Sequence, residues 1–324
     1  MVRAQRIALR SMLFAWLALG LTALNAHADP LAIVASMKGQ VEVIPASGGT
    51  AQRATFGRPL ERGDKVQVGG EGAATVVFND GNVIELSSGS AITIGGRMTG
   101  KPKVGPGSSL PDEVFTQVSR YVTGGSRQKG LVALSAMRSG TDEGGILISP
   151  RDSDVMSNRP RFRWRAVTGA TRYKLSLSGD DGDLWETESS DTHAVLPGNV
   201  DPLMGDADYV WRIVAFGDKG KVREEETFFH VLDDERRDVV ATHIEHIGQS
   251  TGGDETAATH FLAGSYLFSR GMYGDAAEHF EALSLISPES PAPHEALGNV
   301  YKAVGLMDLA AAEFERALTL TRER

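Results

Sequence analysis

Four short stretches near the start of the chain alternate apolar and polar side chains: Val41-Glu42-Val43, Val66-Gln67-Val68, Ile84-Glu85-Leu86 and Ile92-Thr93-Ile94. A period of two places one side chain in a core and the next in water, which predicts half-buried strands. Asn79-Asp80-Gly81-Asn82 separates the apolar runs 76–78 and 83–86. Asp-Gly in that setting predicts a hairpin turn, because both residues tolerate positive φ. Gly63-Asp64 and Gly69-Gly70-Glu71-Gly72 mark further turns, so residues 29–96 read as a small all-β domain. Between 97 and 144 Gly, Pro and Ser accumulate around one helical patch: Val114, Phe115, Val118, Tyr121 and Val122 share a helix face, with Pro111 available for the first turn. That region is predicted to be a linker with one helix. Short apolar runs return at 146–148, 161–164, 173–177, 184–187, 193–195, 209–215 and 227–231. Strands of that length and spacing predict a β-sandwich over 145–232, with Trp164, Tyr173 and Trp211 in its core.

From 233 the pattern turns helical and repeats with an offset of 34: Gly264 matches Gly298, Gly271 matches Gly305, Ala276 matches Ala310, Phe280 matches Phe314 and Glu281 matches Glu315. Such self-similarity predicts two stacked helical hairpins, 257–290 and 291–324, with glycines allowing close helix approach and each Phe filling the layer. Ser290-Pro291 supplies a cap and first-turn pair for the second unit. A preceding helix, 234–248, places Val239, Val240, Ile244 and Ile247 on one face, suited to cover the open side of the first unit. Two units are fewer than stable stacking usually requires. The last helix, with Leu306, Leu309, Phe314 and Leu318, is therefore expected to show an apolar face to a partner or to a second copy of the chain.

Export adds an address. Arg3, Arg6 and Arg10, the apolar run 12–24, and Ala26-His27-Ala28 predict a signal peptide cleaved after Ala28. The apolar run falls short of the roughly 20 residues that span a bilayer. The chain has no cysteine, so disulfides and thiolate metal sites are excluded. Formal net charge is −9, which argues against a nucleic-acid partner. The charge is uneven: residues 31–104 hold eight Lys and Arg against six Asp and Glu, whereas 233–324 hold seven against sixteen. Different partners are expected at the two ends.

Several motifs carry family resemblances. Gly39-Gln40-Val41-Glu42-Val43, Leu60-Glu61-Arg62-Gly63-Asp64 and 73–78 followed by Asn79-Asp80-Gly81 occur in the order found in the FecR domain, and residues 29–96 resemble it. The resemblance implies a periplasmic β domain, in some relatives a relay from an outer-membrane receptor to a sigma factor. The relay form's cytoplasmic sigma-binding region and membrane anchor are not expected here, so control of iron-uptake genes is not carried over from the resemblance. Leu203 followed by Tyr209-Val210-Trp211-Arg212 resembles the tyrosine-corner strand of fibronectin III and immunoglobulin-like sandwiches. Leu297-Gly298, Tyr301, Gly305, Ala310, Phe314 and Ala317 resemble a tetratricopeptide (TPR) unit, and the first unit keeps Gly264, Ala276, Phe280 and Pro288 but has Leu267 where Tyr is usual. That resemblance implies a scaffold whose concave helices present Phe261, Ser265, Phe268, Glu295, Asn299 and Lys302 to protein partners. Phe261 and Phe268 are equally suited to core packing.

Catalytic patterns are incomplete. Ser126-Arg127-Gln128-Lys129 has a Ser-x-x-Lys spacing without its companion motifs. His243 and His246 stand three apart on a helix without a third ligand at metal-site spacing, and His243 shares the apolar face. Asp180-Asp181-Gly182-Asp183 lacks the closing Glu of a calcium loop and suits a hairpin turn. Glu224-Glu225-Glu226 reads as a solvated strand start, and no Gly-rich stretch has phosphate-loop spacing. No catalytic residue, cofactor or metal is expected. The sequence points to a non-enzymatic scaffold of the periplasm or cell surface, with protein partners on the TPR units and an envelope component or peptidoglycan at the FecR-like domain. Its alternatives are an envelope signal sensor and a cell-wall glycan binder using exposed aromatics such as Trp185.

Overall fold

A computed structural model of the chain describes residues 30–100, 103–104, 109–124 and 144–323. The export signal and the Ser126-x-x-Lys129 pattern lie outside the described residues. The first domain is built from strands β1 (Ala32–Lys38), β2 (Val41–Ile44), β3 (Gln52–Arg53), β4 (Pro59–Leu60), β5 (Lys65–Val68), β6 (Ala73–Phe78), β7 (Val83–Leu86), β8 (Ala91–Thr93), β9 (Met98–Thr99) and β10 (Lys103–Val104). They form two five-stranded sheets, ordered β10-β7-β6-β1-β4 and β3-β2-β5-β8-β9. Val34, Val43, Val66, Val76, Leu86 and Ile92 fill the space between them. Residues 32–35 of β1 show no alternation because both faces are covered: Ala32 and Val34 enter this core, while Ile33 and Ala35 enter a second one beneath the helices. The expected hairpin joins β6 to β7, and one of its two turn residues takes positive φ. Gly81 takes φ 80°, but Asp80 does not join it at positive φ; its carboxylate accepts the Asn82 N–H at 3.1 Å instead.

The second domain comprises β11 (Leu147–Ser149), β12 (Ser153–Val155), β13 (Arg161–Trp164), β14 (Arg172–Gly179), β15 (Gly182–Ser189), β16 (His193–Val195), β17 (Ala207–Gly217) and β18 (Gly220–Val231). A three-stranded sheet, β11-β13-β16, faces a five-stranded one, β12-β18-β17-β14-β15. Phe162, Trp164, Tyr173, Leu175, Trp211 and Phe229 interdigitate between them. The Tyr209 hydroxyl donates to the Met204 carbonyl at 3.1 Å and accepts the Met204 N–H at 2.8 Å. Layering and tyrosine corner together are those of a fibronectin III or immunoglobulin-like sandwich.

Six helices occur among the described residues: α1 (Asp112–Thr123), α2 (Asp234–Ser250), α3 (Ala257–Ser269), α4 (Tyr273–Ile286), α5 (Pro291–Ala303) and α6 (Met307–Arg322). Asp233, Thr256 and Ser290 cap α2, α3 and α5 through their side-chain oxygens. The hairpins α3–α4 and α5–α6 repeat one contact: a Cβ on Gly264 would lie 2.6 Å from the Phe280 ring, and one on Gly298 2.6 Å from the Phe314 ring. On α2, Val240 and Ile247 are buried and Ile244 half-buried, but Val239 turns outward. The apolar face expected on α6 is mostly covered: Leu306 and Phe314 are buried, Leu309 and Leu318 half-buried, leaving Met307 as its exposed large apolar side chain.

Helix α1 is more than a linker segment. Val114, Phe115 and Val118 are buried in one cluster with Ile33 and Val77 of the first β domain and Phe261, Phe280 and Leu297 of the helical region. Tyr121 stacks on Phe280 at 6.0 Å and meets Phe268 edge-on at 5.1 Å. The Ser269 hydroxyl donates to the Gln117 carbonyl at 3.0 Å, and Arg270 pairs with Glu113 at 2.6 Å. The α1 helix thus fills the wedge between the first sheet and α3.

Candidate functional site

The helical region meets the sandwich along a polar seam. Arg163 on β13 grips Glu281 of α4 with two bonds of 3.1 and 2.9 Å, and Arg165 reaches Asp308 of α6 at 2.5 Å. Arg151 donates to the Val304 carbonyl at 2.9 Å and pairs with Glu225 at 2.6 Å, while Glu225 also accepts the Ile146 N–H. Glu225 therefore points into the seam rather than into solvent as the acidic run suggested. Burial works against the Arg163 charge, yet the Glu281 carboxylate outweighs it and the guanidinium is held above its ordinary pKa. Between these residues only about 10 Å³ of space remains, less than a ligand needs.

Asp275, in the first turn of α4, lies against the same seam. Its Oδ2 has no hydrogen-bond partner, and burial lifts the carboxyl to about 7, with the Glu278 charge adding to the effect. On the opposite side of the hairpin, His260 Nδ1 and His279 Nδ1 lie 3.1 Å apart, and burial lowers His279 to about 4. The positions 34 residues on hold His294 and Glu313, joined at 2.7 Å. The two imidazoles are therefore one instance of a pairing that both hairpins use. His243 is also absorbed by packing, its Nδ1 lying 2.8 Å from the Tyr266 hydroxyl. Among the described residues no group of three or more His, Cys, Asp or Glu is arranged to hold a metal.

The six residues expected on the concave face divide between the hairpins. Phe261 is buried against Phe56, 5.8 Å between ring centres, and beside Gly57; Ser265 is fully buried; Phe268 is half-buried between Tyr121 and Tyr273. These three do not face a partner, because the first β domain and α1 occupy that side of α3. Their counterparts Glu295, Asn299 and Lys302 on α5 are half-exposed. Trp185 likewise fails as a sugar platform, since it turns toward the sandwich core and packs 5.9 Å from Phe162.

What the sequence did not reveal is a cleft of about 830 Å³ where the first β domain meets the helices. One wall is the outer surface of β1, β6 and β7, carrying the cross-strand row Ser36, Thr75 and Glu85. Its other wall is the start of α3 at Ala257 and the α4–α5 turn from Ile286 to Ser290. Lys38 and Arg53 stand at its margin. Ser36 donates to Thr75 at 2.8 Å. Residues more than two hundred positions apart meet here, and no local pattern announces such a meeting.

No family model matches the chain, and none of the curated proteins matches it. Among solved structures, a cell surface anchoring domain aligns at 24% identity over 21% of this chain and 87% of its own, with a TM-score of 0.19. A two-domain fibronectin type III segment of chicken tenascin aligns at 11% identity over 62% of this chain and 94% of its own, TM-score 0.19. The domain titled FN3tt aligns at 16% identity over 28% of this chain and 90% of its own, TM-score 0.21. The sandwich assignment rests on strand order and the tyrosine corner rather than on these overlaps.

Proposed function

We propose that this protein is an exported, non-enzymatic scaffold of the cell envelope, in which a FecR-like β domain and a fibronectin-type sandwich hold a short TPR array that recruits protein partners. The observation that carries the reading is the division of labour between equivalent helix faces. On α3 that face is consumed in holding the first β domain; on α5 the same positions are Glu295, Asn299 and Lys302, which are half-exposed. Burying Phe261 and Phe268 supplies cohesion, whereas a polar, accessible face supplies selectivity. The export leader read in residues 1–28 gives the location, and none of the described helices is long and apolar enough to cross a membrane.

The test is a crosslinking pull-down from envelope material with the full mature chain and with the double reversal Glu295→Lys, Lys302→Glu. Loss of the captured partners with an unchanged melting profile is expected. Capture of the same partners by both forms would remove α5 from recruitment. N-terminal sequencing of the mature protein should begin at Asp29.

A further inference from the structure

Of the recesses and patches on the molecule, the cleft between the first β domain and the α4–α5 turn joins the most independent features. Its volume, about 830 Å³, lies in the range of ligand-binding clefts. Much of its lining is small: Gly39, Ala73, Ala257 and Ser287 leave room for a polypeptide backbone to approach. The aromatic side chain lining it, Phe56, is 2% exposed, so no ring is offered for stacking on a sugar. Apolar contact is available at the rim, where Ile286 is 44% and Leu285 83% exposed at the end of α4. These two consecutive residues are uncovered on a helix whose other large apolar side chains are packed.

Charge then selects the occupant. Lys38 and Arg53 are exposed and make no ion pair among the described residues. Glu85 lies on β7 in the row of Ser36, two strands away, and Lys38 lies two residues further along β1, so the two positions are about 12 Å apart at ordinary strand spacing and rise. Four residues of extended chain span about the same distance and bring side chains i and i+4 to one face. Extended peptides are matched to such a site when alternate side chains meet charges and apolar surface along it.

We propose that this cleft binds an extended peptide bearing a carboxylate for Lys38 and Arg53, a basic residue four positions away for Glu85, and small or apolar residues between them. This deepens the partner-recruiting reading and rests on it, by naming the chemistry that a partner segment presents. Ser287 on the helical wall can exchange hydrogen bonds with its backbone, and Ile286 covers its apolar side chain.

The experiment uses the full mature protein and a peptide array containing Asp-Leu-Ala-Leu-Lys, its reversed order Lys-Leu-Ala-Leu-Asp, the uncharged Asn-Leu-Ala-Leu-Gln and an all-acidic Asp-Leu-Ala-Leu-Asp. Retention of at least one dipolar order, at least tenfold above both the uncharged and all-acidic peptides, is expected. The double reversal Lys38→Glu, Arg53→Glu should lower that affinity at least tenfold, and Ile286→Asp should lower it independently, with melting curves confirming intact folding. Equal retention of all four peptides, or binding that survives the double reversal, would overturn the proposal. Displacement of the peptide by peptide-free glycan strands would also overturn it, by making the cleft a sugar site. If the array fails while the Glu295→Lys, Lys302→Glu form still loses its envelope partners, the scaffold reading stands and the peptide cleft falls.

Discussion

Asp275 and His279 set opposite pH dependences a few residues apart on one helix. The Asp275 carboxyl, lifted by burial to about 7, binds its proton more tightly in the folded chain than in the unfolded one. Its contribution is therefore favourable below the ordinary carboxylate range and is lost as pH rises toward 7. Asp275→Asn should raise stability at pH 8 by on the order of 2 kcal/mol and have little effect at pH 4, as measured by denaturant melts. His279 is lowered to about 4, chiefly by burial and then by His260. Folding keeps that imidazole neutral, so stability declines as pH falls from about 6.5 toward 4. His279→Glu copies the His294–Glu313 pair of the second hairpin. Between pH 7 and 5.5 the variant should hold or gain stability where the parent loses it, and thermal melts at the two pH values decide the matter.

At the scale of the element, the repeated hairpin depends on glycine for a packing reason. The Gly264 and Gly298 positions are helical, and what excludes a side chain there is the Phe ring of the facing helix, 2.6 Å from any added Cβ. Gly298→Ala should destabilise by about 1–3 kcal/mol through overpacking, visible as a lowered melting temperature, with Phe314→Leu in the same chain recovering part of the loss. The offset of 34 exposed these pairs in the sequence because each contact is made within one hairpin. The same reasoning read α1 correctly as a helix but placed it in a linker. Its buried stripe, Val114, Phe115 and Val118, was legible from spacing, whereas its partners, Ile33 and Phe261, lie far away along the chain. Val239 misled for a related reason: a helix face inferred from four apolar positions is wider than the strip α3 covers.

Over the whole molecule, the modules are interlocked and do not behave as beads. The outer face of the first sheet contributes Ile33, Ala35, Val77 and Val83 to the core that α1 and α3 complete. The sandwich keeps a separate core, closed between its own sheets, and touches the helices through Arg151, Arg163 and Arg165. Cutting the chain after Leu232 should therefore uncover the first domain while sparing the second. A truncated form comprising 29–232 is expected to aggregate or to lose the cooperative unfolding of the first domain, with the sandwich transition retained in calorimetry. Two independent transitions at the parent temperatures would refute this interlocking. The docking seam, exposed and polar at its edges, should weaken with salt more than either core does.

Residue order alone determined the helices and the alternating strands, because periods of two and 3.6, capping side chains and the offset of 34 are written within a few tens of residues, but not β1, covered on both faces, nor the two- and three-residue strands β3, β4, β9, β10 and β12. It also marked Tyr209 and the two Gly–Phe pairs, whose partners are local or repeated. Only the tertiary structure decided which apolar faces are used up. Phe261, Ser265 and Phe268 look like a binding surface until the first β domain and α1 are laid over them, and Glu225 looks solvated until Arg151 meets it. The cleft bounded by Lys38, Glu85 and Ile286 exists for the same reason. Burial and charge pairing depend on which surfaces meet across more than two hundred residues of chain, and no local pattern carries that information.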